Sequence, residues 1–136
     1  MSPASLSDFR MILVDTSVWI ETLAGRPGYD MRPEDMPRIV TCAPVAQELL
    51  QGLKPGAESD IFRLSFLALP VLGDPISLST FLSAADIYRQ GRRKGYTIRS
   101  TVDCLIAAIA LEHKVAVWHR DRDFTAIAKF TALETV

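Results

Sequence analysis

Met11-Ile-Leu-Val-Asp15-Thr-Ser-Val-Trp-Ile20-Glu-Thr-Leu-Ala-Gly25 decides the fold class. A short apolar run ends in an acid; Val18, Trp19, Leu23 and Ala24 then recur at helical spacing until Gly25 stops them, so the stretch reads as strand then helix. The same unit returns along the chain. Ile39-Val-Thr41 leads into a helix whose first residues include Pro44 and which carries Val45, Leu49 and Leu50. Ile61, Leu64, Leu67 and Ala68 space an amphipathic helix that runs into a short strand at Leu69-Pro-Val-Leu72. Leu78, Phe81, Leu82, Ala85 and Tyr88 keep helical phase, a basic tail follows, and Gly95 terminates it. Ser100 opens the most apolar helix, Val102 to Leu111, whose apolar residues cover nearly every face and so predict a central position. Lys114-Val-Ala-Val-Trp118 is the next strand, with a last helix around Phe124 to Lys129 and a closing strand expected at Thr131 to Thr135. Strands alternating with helices predict an α/β fold of three layers, a mostly parallel sheet with helices on both faces. In such sheets ligands bind beyond the carboxyl ends of the strands.

With 136 residues, 49% hydrophobic and 23% charged, the chain fits one domain with a real core. That domain is expected over residues 11–136, with 1–10 a disordered extension. The formal net charge of −1 excludes whole-molecule attraction to nucleic acid or to an anionic membrane, so such a partner needs a local patch. The longest apolar run, Leu105 to Leu111, is far below the roughly 20 residues that span a bilayer. The opening residues lack a secretion pattern, which makes the cytoplasm the expected location. Cys42 and Cys104 lie far apart, and only His113 and His119 offer imidazole, so neither a disulfide framework nor a zinc site is indicated.

Four acids fall where the chemistry should be. Asp15 closes the first strand, Asp121 follows the strand ending at Trp118, and Glu48 and Asp103 come early in helices that start near the same edge. Each has a structural alternative. Asp15 and Asp121 are placed to cap helices, Ser100-x-x-Asp103 has the spacing of a capping box, and Glu48 fits a solvated face. Together, however, carboxylates ~5 Å apart repel by about 3 kcal/mol per pair at an effective dielectric near 20. Oxygen-rich clusters of this kind hold Mg²⁺ or Mn²⁺, which activate water and neutralise charge on a phosphate. With the four set aside, bases outnumber the remaining acids, which suits a polyanionic substrate.

Met11-Ile-Leu-Val-Asp15-Thr-Ser-Val-Trp-Ile20, Pro44-Val-Ala-Gln-Glu48-Leu-Leu-Gln-Gly52, Thr101-Val-Asp103-Cys-Leu-Ile-Ala-Ala108 and His119-Arg-Asp121-Arg-Asp123-Phe124 together resemble the PIN-domain toxins of VapBC toxin–antitoxin modules. The resemblance spans essentially the whole chain. It implies a five-stranded parallel sheet, metal-dependent endoribonuclease activity, dimerisation and neutralisation by a small antitoxin. Carried over residue by residue, it implies Asp15, Glu48, Asp103 and Asp121 as the acidic set. Asp15, Asp103 and Asp121 then hold Mg²⁺ or Mn²⁺, with Glu48 and Asp123 as further ligands. Asp121 and Asp123 compete for the fourth position; we assign Asp121 to the metal and expect Asp123 to cap the last helix. Ser17 matches the family's small hydroxyl residue beside the first aspartate, and Thr16 or Thr101 serves either to orient a metal water or to make helix-start hydrogen bonds. Arg89, Arg92, Arg93, Lys94, Arg99, Arg120 and Arg122 are candidates for RNA phosphates, or else a solvated face.

An antitoxin helix is expected on the apolar residues of the early helices, Val18, Trp19, Val45 and Leu49, unless these are core. RNA is favoured over duplex DNA because a flexible loop enters an acid-lined pocket more readily than a stiff helix. Two alternatives stand beside the toxin: a nuclease in nucleic-acid processing without a toxin role, and a non-catalytic binding module that keeps the fold.

Overall fold

The computed structural model describes residues 5–136. Its elements run β1 (Ile12–Val14), α1 (Thr16–Leu23), β2 (Ile39–Cys42), α2 (Ala43–Gln51), α3 (Ala57–Leu67), β3 (Val71–Leu72), α4 (Leu78–Arg93), α5 (Thr101–His113), β4 (Ala116–Trp118) and α6 (Arg122–Phe130). The four strands pair in parallel in the order β3-β2-β1-β4, with Ile12 opposite both Ile39 and Ala116. Parallel strands require crossovers, and helices supply them, flanking the sheet. Every residue of β1, β2 and β4 is buried, as expected of short apolar strands covered by helices.

The central helix predicted from Val102 to Leu111 is α5. Its run Ile106-Ala-Ala-Ile-Ala110 is wholly buried, and the alanines let α4, α6 and the sheet approach closely. Lys114 then takes a left-handed conformation (φ 54°), and the Val115 N–H returns to the Ala110 carbonyl at 3.0 Å, which turns the chain directly into β4.

Three expectations are corrected. The closing strand is reduced to one parallel bridge, Thr135 beside Val117, so among the described residues the sheet has four strands where the resemblance implied five. After α6 the Thr131 hydroxyl occupies the backbone by donating to the Ile127 carbonyl (2.8 Å) and accepting from the Leu133 N–H (3.2 Å). Secondly, Val18, Trp19, Val45 and Leu49 are core, at most 5% exposed, and offer no groove. Thirdly, the apolar stripes that mark α3 and α4 face outward. Ile61, Leu64 and Leu67 are exposed on α3, which anchors instead through Phe62 and Phe66 edge-on to Trp19 of α1. On α4, Leu78, Phe81 and Leu82 are exposed, while Thr80, Ala84, Ile87 and Gly91 turn inward.

Of the segment expected to be disordered, residues 1–4 lie outside the described residues. Leu6–Asp8 form a 3-10 turn capped by Ser5, and Leu6 and Phe9 rest against the core.

Candidate metal centre

Strand ends and helix starts gather the acids. Asp15 ends β1 and caps α1, its Oδ2 accepting from the Ser17 backbone N–H (3.2 Å) and hydroxyl (2.6 Å). Asp103 lies in the first turn of α5, where its backbone N–H donates to the Ser100 hydroxyl at 3.3 Å. Asp121 caps α6 through Oδ1, which accepts from the Asp123 N–H at 2.9 Å. The expected cap at Asp123 is therefore two residues too late: capping by Asp121 places Asp123 inside the helix. Helical side chains lean toward the N-terminus, and this carries the Asp123 carboxylate into the interior. There it accepts from the backbone N–H groups of Arg99 (3.2 Å) and Ser100 (3.0 Å), just ahead of α5.

One carboxylate oxygen from each of Asp103, Asp121 and Asp123 lies within 4.8 Å of the others. Asp15 is outside this trio but within electrostatic reach, raising the proton affinity of Asp103 together with Asp121 and Asp123. Burial is the larger cause, and the carboxyl of Asp103 is pushed up to about 9. Burial also raises Asp15, against the pull of its Ser17 hydrogen bonds. Glu48, the most exposed of the acids, is raised by partial desolvation and by Asp15, with the Thr16 hydroxyl drawing it back. That Thr16 hydroxyl is buried with no partner at full hydrogen-bond geometry. His119 is held low, chiefly by burial, and its Nδ1 accepts the Asp121 N–H at 3.1 Å, which requires that nitrogen to be unprotonated.

The Asp103 Oδ2 is buried and without a hydrogen-bond partner. An orphaned buried carboxyl oxygen is costly, and its ionised form more so among like charges, unless a cation sits against it. The donor set is entirely carboxylate oxygen, which fits a hard divalent ion such as Mg²⁺ or Mn²⁺ and not zinc.

This arrangement sets the pH behaviour of the metal-free protein. In the unfolded chain Asp103 loses its proton near pH 4, whereas in the folded state it keeps it up to about 9. The folded state therefore binds more protons between these values, so stability falls as pH rises through that window. The melting temperature in chelator is expected to drop steadily from pH 5 to 9, and saturating Mg²⁺ to flatten the slope. A level profile in chelator would show Asp103 ionising normally.

The supporting residues divide. Ser17 braces Asp15 and also accepts the Arg120 backbone N–H at 3.0 Å. Thr101, exposed, starts α5. Arg92, Arg93 and Lys94 are exposed at the end of α4, with Arg92 over the Tyr88 ring and Lys94 over the Phe130 ring. Arg99 and Arg122 are exposed beside Asp123 in the chain or across the loop. Arg120 is not free: its Nη1 lies 2.8 Å from Glu21 Oε1. The pairing of Glu21 with Arg120 carries no signal in the sequence, because the two residues stand far apart along the chain.

The PIN domain family matches residues 12–130. Over 131 residues the chain is 40% identical to VapC ribonuclease Mb1587 of Mycobacterium bovis and to ribonuclease VapC11 of Mycobacterium tuberculosis, covering 91% of this chain and 96% of each relative. The DNA-bound VapBC structure from Salmonella typhimurium superposes with a TM-score of 0.71 at 16% identity, covering 93% of this chain and 96% of that one, a likeness of fold. The family match over most of the chain and the extended sequence identity agree, and the chain belongs to the PIN domain family, alongside the VapC ribonucleases.

Proposed function

We propose that this chain is a metal-dependent endoribonuclease acting as the toxin of a type II toxin–antitoxin module, with residues 11–136 as its single PIN domain. The observation that carries the reading is the unpartnered, buried Asp103 Oδ2 amid Asp121, Asp123 and Asp15, in a chain 40% identical to proteins named VapC ribonucleases. Asp15, Asp103, Asp121 and Asp123 would hold the Mg²⁺ or Mn²⁺. When bound, the ion supplies a Lewis acid that acidifies water and offsets charge on the scissile phosphate. Glu48, the exposed acid with raised proton affinity, is suited to take the proton of the attacking water on a carboxylate oxygen. Ser17 keeps Asp15 in its rotamer. Arg99 and Arg122, with Arg92, Arg93 and Lys94, offer phosphate contacts leading to the acids.

Partner surfaces follow from the outward stripes. Exposed Ile20 and Leu23 of α1 and Ile61, Leu64 and Leu67 of α3 suit an amphipathic antitoxin helix. The exposed Phe81 and Tyr88 of α4, with Val102 and Leu105 of α5, line an apolar cavity of about 450 Å³ that suits a homodimer contact. No helix among the described residues is long and apolar enough to cross a membrane, and the proposed setting is the cytoplasm, where RNA substrates lie.

Purified protein incubated with a structured RNA loop is expected to cut it in Mg²⁺ or Mn²⁺ and to stop in chelator. Co-expression with the product of a short adjacent reading frame is expected to restore growth and yield a complex. Cutting undiminished by chelator would overturn the metal reading; unrelieved toxicity with no complex would overturn the toxin role.

A further inference from the structure

We infer that Glu21 is a positioning residue for the acid cluster: through Arg120 it locks the turn between β4 and α6, which carries Asp121, against α1, which carries Asp15. The inference rests on the metal-centre reading above and deepens it.

Glu21 is only 9% exposed, yet it is a carboxylate on a helix whose neighbouring surface residues are largely apolar. Such burial is sustained by pairing. Its Oε1 meets Arg120 Nη1 at 2.8 Å and its Oε2 meets Arg26 Nε at 2.9 Å. The backbone N–H of Arg26 also donates to the Glu21 carbonyl at 3.0 Å, which keeps Arg26 beside Glu21, although Oε2 gains an ion pair there and no hydrogen bond.

Residue 120 is gripped twice. Its backbone N–H donates to the Ser17 hydroxyl (3.0 Å), whose own proton goes to Asp15 Oδ2 (2.6 Å), while its side chain pairs with Glu21. Ser17 and Glu21 are four residues apart and stack on one face of α1. One attachment would let the turn pivot; two, a helical turn apart, fix its rotation as well. The next residue is Asp121, which must stay near Asp15 and Asp103 although its charge opposes ionisation of both. The grip on Arg120 opposes that repulsion. It also removes Arg120 from the candidate RNA contacts, because its guanidinium is already matched by a buried carboxylate.

The test compares Glu21→Gln and Arg120→Met with wild type in Mn²⁺ affinity by electron paramagnetic resonance, kcat and KM on an RNA oligonucleotide, and melting temperature. Supporting partners of metal ligands are worth roughly 10- to 100-fold in affinity. Both variants are expected to weaken Mn²⁺ binding about tenfold and lower kcat with KM unchanged. The double variant is expected to add little, since both break one link. Arg120→Lys, which retains a charged donor, recovers part of the affinity. If Arg120 contacted RNA, Arg120→Met would raise KM and Glu21→Gln, by freeing the guanidinium, would lower it; those opposite signs overturn the proposal. So does wild-type Mn²⁺ affinity in Arg120→Met, which alters an exposed side chain and tests the link even where Glu21→Gln fails to fold. Asp103→Asn serves as control: wild-type Mn²⁺ binding there rejects the metal centre and this proposal with it, whereas binding lost in Asp103→Asn but intact in Glu21→Gln rejects this proposal alone.

Discussion

Asp103→Asn is expected to reduce RNA cleavage by at least about a thousandfold while raising the melting temperature of the metal-free protein. The two effects share one cause. The amide keeps the shape of the carboxyl, so the first turn of α5 and its Ser100 contact, which involves the Asp103 backbone N–H, remain in place. It removes the charge that would draw a cation, and several kcal/mol of transition-state stabilisation translate at about 1.4 kcal/mol per factor of ten. Without metal that same charge is a burden, held by burial and by Asp121, Asp15 and Asp123. Relief of that burden is worth a few degrees, most visible at pH 8 to 9, where the wild-type group begins to ionise. Cleavage is read in saturating Mg²⁺ and melting in chelator. Wild-type cleavage would reject Asp103 as a ligand, and a lower melting temperature would show its carboxylate to be a structural brace.

Asp123→Ala is expected to give the largest loss of stability among the acids, about 3 kcal/mol, because two part-buried backbone N–H groups lose a carboxylate acceptor worth ~1.5 kcal/mol each. The donors are the Arg99 and Ser100 backbones, so the damage falls on the entry to α5, the most buried helix of the fold. Asp121→Ala removes only a helix cap, about 1 kcal/mol. Denaturant unfolding in Mg²⁺, where charge relief does not confuse the comparison, is expected to rank Asp123→Ala well below Asp121→Ala. Cleavage is expected to fall in both. The reverse ranking would return the capping role to Asp123.

That pair also marks how far the sequence could be read. Asp15, Asp103 and Asp121 were legible because an acid at a strand end or helix start is a local feature, and so were the strand and helix units from Met11 to Gly25 and from Ser100 to Trp118, whereas Glu48, expected early in its helix, falls in the second half of α2. Asp121 and Asp123 differ by two residues, and which one caps depends on where α6 begins. A shift of two residues in the helix start turns Asp123 from a surface cap into a buried member of the trio. The link between Glu21 and Arg120 had no local signature, since long-range ion pairs leave no periodicity. Helical periodicity in α3 and α4 correctly gave helices but not their facing: a hydrophobic stripe reports that a face is covered, not whether the chain's own core covers it.

Those outward stripes bear on how the protein behaves as a colloid. Copies of a chain with net charge −1 and pI near 6.1 repel one another weakly at neutral pH. Exposed Ile61, Leu64, Leu78 and Leu82 add adhesive surface that this charge does little to oppose. Solubility thus becomes a property of the company the chain keeps: a copy made in excess of a partner that covers α3 and α4 is expected to leave solution more readily than a covered one.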